Sequence, residues 1–209
     1  KEETQKVRLV LSPYEKDKLE DYVPIDYYYD LVEYRRQIDT IQPPQGVLLN
    51  MGNAINSDYA DYGPALNSTD DVLLFTSKRN IMKNGNEEFI NEDIFFSNKI
   101  SSGNWTIAEA YEGINSPYNE GSACLSSDNQ TIYFVRCHAP DGLGNCDIYS
   151  AKRGSDGSWK NIQNLGEAIN SDQWDSHPSI NFSGDTLYFA SGRKGGFGGT
   201  DIYFSTKNK

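Results

Sequence analysis

Three carboxylates stand at matching places in this chain: Asp61, Glu120 and Asp175, each six residues beyond the isoleucine of an Ile-Asn-Ser triplet at Ile55, Ile114 and Ile169. Gathered around one opening, they could bind a cation or a basic partner segment, because clustered oxygen ligands and negative field suit both. The plainer alternative is structural. Each carboxylate would cap a turn or pair with Arg79, Arg136 or Arg193, which lie near the end of the following strand. Tyr62, Trp174 and His177 adjoin the same column. They add aromatic and imidazole surface suited to partner or glycan contact, or simply to packing. Asp61, Tyr62, Glu120, Trp174, Asp175 and His177 therefore form the candidate partner-binding set.

A second acidic column, Asp93, Asp147 and Asp201, precedes Ile-Phe or Ile-Tyr at a spacing of 54 residues both times. Aspartate bonds its own local backbone readily, so this column reads as turn stabilisation. Catalysis finds little to work with. Only His138 and His177 are present, and no Gly-x-Ser-x-Gly elbow or His-Glu-x-x-His helix occurs. Two facing carboxylates of the first column could serve a glycoside hydrolase, which keeps a carbohydrate-processing or carbohydrate-binding domain as the second reading.

The loops at residues 79–92, 138–145 and 192–200 vary most, and loops on a rigid scaffold carry specificity. The Gly-Gly-Phe-Gly-Gly run at 195–199 lacks the lysine and helix of a phosphate loop and reads as a flexible hairpin. Residues 141–147 are too short for an EF-hand and lack its terminal glutamate. No metal or cofactor is expected.

Cys137 ends one expected strand and Cys146 begins the next, so a hairpin would bring the two together, while Cys124 falls two strands back. A Cys137–Cys146 disulfide is the expectation, and it implies an oxidising compartment. Unlinked thiols in a reducing cytosol are the alternative. Zinc is disfavoured because no Cys-x-x-Cys spacing occurs.

The elements that must hold these residues follow from an internal repeat. From each Ile-Asn-Ser triplet 21 columns align without a gap, ending at Phe75, Phe134 and Phe189. Each unit contains a first strand (61–67, 120–126 and 175–182), a polar turn, and an apolar run (72–75, 132–135 and 187–190). Consecutive apolar residues indicate a strand buried on both faces. The Asp-Ile-Phe/Tyr strand comes next, and Trp105 and Trp159 open a fourth, more polar strand. Four antiparallel strands with apolar inner members describe a propeller blade.

The expected fold is therefore all-β: residues 1–48 form an extension and residues 49–209 form blades at about 49–110, 111–164 and 165–209. In the extension, residues 7–11 read as a strand, 14–20 as one or two helical turns and 26–41 as a helix stopped by Pro43-Pro44. Three blades cannot ring an axis, so the chain is expected to be part of a larger, six-bladed propeller, or else residues 7–11 patch the last blade. The start at Lys1 without a leader fits a mature protein or an excised fragment.

Composition agrees with this class. Fourteen Tyr, nine Phe and 18 Gly in 209 residues mix strand formers with turn formers. A formal charge of -11 argues against nucleic acid or anionic lipid as partner. No apolar run approaches the roughly 20 residues of a membrane helix.

Residues 50–207 resemble the WD40-like β-propeller repeats of bacterial periplasmic proteins. The motifs that carry the likeness are LGEAINSDQWDSHPSINFSGDTLYFASGRKGGFGGTDIYFS (165–205) and INSPYNEGSACLSSDNQTIYFVRC (114–137). They are most similar to the subgroup of Bacteroidota envelope proteins that joins a tetratricopeptide region, this propeller and an OmpA-like peptidoglycan-binding domain. The resemblance implies a non-catalytic scaffold in the periplasm or at the outer membrane, with other envelope proteins as partners. Some relatives serve type IX secretion or gliding. No OmpA-like domain or clear tetratricopeptide repeat stands in these 209 residues, so any association with peptidoglycan would run through regions not present here.

Overall fold

The computed structural model describes residues 30, 32–34, 36, 49–84 and 87–207. The chain divides into two units, Lys1–Asn50 and Met51–Lys209. In the first, residues 30, 32–34 and 36 are helical, inside the helix expected over 26–41. The strand expected at 7–11 and the turns at 14–20 lie outside the described residues.

The second unit is built of antiparallel sheets. The first sheet runs β1 (Asp61–Leu66), β2 (Val72–Asn84), β3 (Glu87–Asn98) and β4 (Glu109–Ala110). The second runs β5 (Asn119–Leu125), β6 (Thr131–Cys137), β7 (Cys146–Arg153) and β8 (Trp159–Asn164). The third has β9 (Asp175–Ile180), β10 (Thr186–Ser191) and β11 (Asp201–Thr206). In each sheet the spatial order is the chain order, as short polar turns require.

Those turns repeat chemically. Asp70, Asn129 and Gly184 occupy the same turn position with φ of 55°, 57° and 73°, a region open to Gly, Asn and Asp. Asn67 Oδ1 accepts from the N–H of Asp71 and Val72 at 3.0 Å each, and Asn181 does the same for Asp185 and Thr186 at 3.1 Å. The side chain thus fixes where the second strand begins.

The middle strands carry the core. Phe75 lies opposite Phe95, Phe134 opposite Tyr149, and Phe189 opposite Tyr203, one aromatic pair per sheet. Between sheets one and two, Leu74 and Ile94 pack with Ile114, Ala123 and Ile132; between two and three, Val135 and Ile148 pack with Leu187 and Phe189. Ile94, Ile114, Ile132 and Ile148 are wholly buried. Each such side chain contributes about 1.5–3 kcal/mol of transfer free energy. Strand β5 lies against β1, β2 and β3, and β9 lies against β5, β6 and β7, so the sheets stack in chain order.

Two details depart from expectation. Residues 79–92, expected as a loop, largely continue β2 and β3 as a ribbon, from Asn80 opposite Asn91 to Asn84 opposite Glu87. Ile81-Met82 facing Phe89-Ile90 are strand formers that outweigh the polar turn composition. Trp105 does not open the fourth strand of the first sheet: it makes one isolated bridge to Lys99, and β4 is only two residues long. Trp159 does open β8. The third sheet has three strands, and among the described residues the sheets do not form a closed ring, in keeping with three units being too few to ring an axis.

Candidate functional site

The Ile-Asn-Ser triplet divides its work among three side chains. The isoleucine is core. The asparagine spans two sheets: Asn115 Oδ1 accepts from Ile94 N at 2.9 Å while its Nδ2 donates to Ile94 O at 2.9 Å, and Asn170 holds Ile148 in the same way at 2.8 and 2.9 Å. The serine binds the first acidic column. Backbone N–H and hydroxyl of Ser57 donate to Asp61 at 2.7 and 2.9 Å, those of Ser171 to Asp175 at 2.6 and 2.7 Å, and Ser116 contacts Glu120 through both groups.

An arginine completes each carboxylate. Arg79 meets Asp61 at 2.7 Å, Arg136 meets Glu120 at 2.7 Å and Arg193 meets Asp175 at 2.9 Å. The same guanidinium donates to the carbonyl of Ile55, Ile114 or Ile169. It also stacks over the sheet's aromatic pair, at 4.5 Å from the Phe95 ring, 5.2 Å from Tyr149 and 4.9 Å from Tyr203. The carboxylates are therefore held inside the units, as the pairing alternative describes.

Burial pushes Asp61 and Asp175 up, but the bonds from arginine and serine outweigh it and hold both carboxyls below the ordinary aspartate value. In Glu120 burial wins, and its carboxyl is raised. The second unit reaches its pair differently. Arg136 occupies the place of Ser77 and Ser191, two residues before Arg79 and Arg193, and the acid is lengthened from Asp to Glu. Residues two apart share a strand face, so the longer carboxylate recovers the contact.

A cavity of about 210 Å³ opens where the inner strands β1, β5 and β9 approach one another. Tyr62, Glu120, Trp174 and His177 line it, so four of the six candidate residues meet there; Asp61 and Asp175 do not line it. Trp174 and His177 are in ring contact at 5.6 Å. Tyr62 is 40% exposed, and burial together with the negative charge of Glu92 raises its phenol far above the ordinary value. Glu92 itself pairs with Lys78 at 2.8 Å.

Backbone strain aims these groups. Gly63, Ser122 and His177 stand two residues beyond the acids with φ of 63°, 48° and 54°, each at a break in strand register. A bulge of this kind bends the strand and re-aims the side chain. The sequence reading missed Thr76, Asn119 and Ser122 on the cavity wall. For Ser122 the signal was its place in one column with Gly63 and His177; Thr76 and Asn119 carried none.

The second acidic column works as local scaffolding. Asp147 accepts from the N–H of Leu143 and Gly144 and from Asn164, and Asp201 accepts from the N–H of Phe197 and Gly198 at 2.9 and 3.2 Å. Asp93 accepts from the Asn91 amide at 3.0 Å. Cys137 and Cys146, opposite each other on β6 and β7, form a disulfide that lines the cavity, and Cys124 is free.

Among the described residues, no cluster of three or more His, Cys, Asp or Glu is arranged to hold a metal ion, and no helix is long and apolar enough to cross a membrane. No family model and no curated protein matches this sequence.

Proposed function

We propose that the three sheets are successive blades of a larger β-propeller and that the chain is a non-catalytic interaction module of a bacterial envelope assembly. The observation that carries this reading is the cavity where β1, β5 and β9 approach, with Tyr62, Trp174 and His177 on its wall. Asp61, Glu120 and Asp175 are each committed to serine and arginine, which speaks against this column as the acid pair of a glycoside hydrolase. Aromatic and imidazole surface on a rigid scaffold suits docking of a protein partner. The disulfide supports a periplasmic or outer-membrane-associated location, because such bonds persist in oxidising compartments. Type IX secretion and gliding machinery are settings in which such a module would act.

The test is recovery of partners from envelope extract with the wild-type chain, with Trp174→Ala and with His177→Gly. Loss of a specific partner in both variants supports docking at this cavity. Equal recovery of every partner counts against it, and sugar release from envelope polysaccharide that disappears in Glu120→Gln would establish the carbohydrate reading instead.

A further inference from the structure

The cavity between β1, β5 and β9 is one-sided in charge. Among the described residues, the carboxylates that line it are those of Glu92 and Glu120, and no lysine or arginine does so. Tyr62 brings an aromatic face from β1, and Trp174 brings another from the start of β9. Val135 and the Cys137–Cys146 disulfide add apolar surface from β6 and β7. At about 210 Å³ the cavity has room for a single long side chain.

The Trp174 wall is fixed in advance. Gly192 N donates to Trp174 O at 2.8 Å, and Cys146 bridges Trp174 in parallel. A wall that is already ordered loses little freedom on binding. The acidic side, by contrast, is open to exchange. Glu92 pairs with Lys78 at 2.8 Å, but their side chains are 32% and 40% exposed. An exposed lysine pair of this kind is weak and readily displaced. Burial raises the Glu120 carboxyl even with Arg136 beside it, so a further cation nearby would favour its ionised form.

The chain itself shows which group this combination holds. Arg79, Arg136 and Arg193 each pair with a carboxylate and lie over an aromatic ring, at 4.5, 5.2 and 4.9 Å from its centroid. The cavity offers the same two components, carboxylate and ring face, with the hydroxyl-bearing Ser122 and Ser176 beside them. What it lacks is a guanidinium of its own.

We propose that the cavity receives an arginine side chain presented by the protein partner. The guanidinium lies between the Tyr62 and Trp174 rings and donates to Glu92, while its methylenes run along Val135 and the disulfide. A planar guanidinium can stack on a ring and bond a carboxylate at once, which the ammonium of lysine cannot match. The formal charge of -11 draws a basic segment towards the chain. The inference rests on the reading of this cavity as a docking site and adds the chemistry of what enters it.

The test titrates the full chain with a blocked glycine peptide carrying one central arginine, and with matched peptides carrying citrulline or lysine instead. Binding is followed by NMR at the Trp174 indole N–H, assigned with Trp174→Phe. The arginine peptide should give a saturable shift, and the uncharged citrulline isostere should bind about tenfold more weakly or worse. Glu92→Gln should weaken the arginine peptide by about tenfold. Lys78→Gln, which frees Glu92, should tighten it about two- to fivefold. A purely structural role for the Lys78–Glu92 pair predicts no such opposite effects. Absence of a saturable shift overturns the inference, as does equal binding of the citrulline or the lysine peptide. If that happens while Trp174→Ala still loses a partner from envelope extract, the docking reading stands and arginine recognition falls. Arginine binding with equal recovery of every partner would overturn the docking reading, and with it the protein source of the arginine.

Discussion

Arg193 reaches the Asp175 carboxylate with Nη2 at 2.9 Å and donates from the same nitrogen to the carbonyl of Ile169. One guanidinium thus ties the end of β10 to the segment that opens the unit. The equivalent pairs in the other two units give the arrangement an internal control.

Removing one partner of this pair strands a charge whose side-chain surroundings exclude water on the Asp175 side. Arg193→Met is expected to destabilise the fold by about 3 kcal/mol, the usual cost of a broken buried pair. Asp175→Asn should cost less than that but more than Glu120→Gln, because burial already disfavours Glu120 as an ion. Urea unfolding of the three variants checks the order; Glu120→Gln as the most damaging change would contradict it.

Acid should act through the aspartates. Asp61 and Asp175 have folded-state values below the ordinary one, so their contribution is present above the ordinary aspartate range. It is lost as pH falls through the depressed folded values. Glu120 has the opposite sign: raised in the fold, it favours the folded state most below the ordinary glutamate value and loses that contribution as pH rises through its folded value. Stability measured from pH 7 downwards should therefore fall less steeply in Asp175→Asn than in the wild type. Parallel curves would refute this assignment.

The Asn170 clasp saturates one N–H and one C=O of Ile148 at once. Asn170→Ala leaves the buried Ile148 N–H unsatisfied, while Ile148 O keeps its bond from Leu165 N–H at 3.1 Å, and should cost about 1–3 kcal/mol. Asn170→Asp keeps the acceptor but loses the donor, so thermal unfolding should not show rescue at neutral pH.

Cys137 and Cys146 close a loop with a sequence separation of 9. Reduction should lower stability by about 2–3 kcal/mol on loop-entropy grounds. Intact mass before and after alkylation should show one bridge and one free thiol, at Cys124; three alkylated thiols without reductant would be the contrary result.

His177 has a left-handed backbone with φ of 54° where the first unit has Gly63. His177→Gly should leave stability unchanged or raise it by a few tenths of a kcal/mol, while His177→Ala should not. Equal melting temperatures for the two variants would show that strain at this bulge carries no energetic weight.

Much of this was legible in the residues because the controlling physics is local or periodic. Turn positions and apolar middle strands depend on neighbours two to five residues away, and repetition in three units separates their signal from chance. The candidate arginine partners were visible for the same reason. What the Ile-Asn-Ser asparagine does was not, since its partner lies 21 or 22 residues upstream on another sheet.

By itself, then, the sequence determined an all-β chain of three repeated units, with its strand order and its turn chemistry. Tertiary structure decided which of the six candidate residues meet. Within their own units Asp61 and Asp175 turn inward to arginine, and the approach of one sheet to the next leaves Tyr62, Trp174 and His177 on a shared cavity wall. That choice depends on bulges and on distances between sheets, and neither follows from spacing along the chain. The fate of Ile202, exposed where its two counterparts are buried, is likewise set by what lies beside the sheet rather than by the Asp-Ile-Tyr motif it shares.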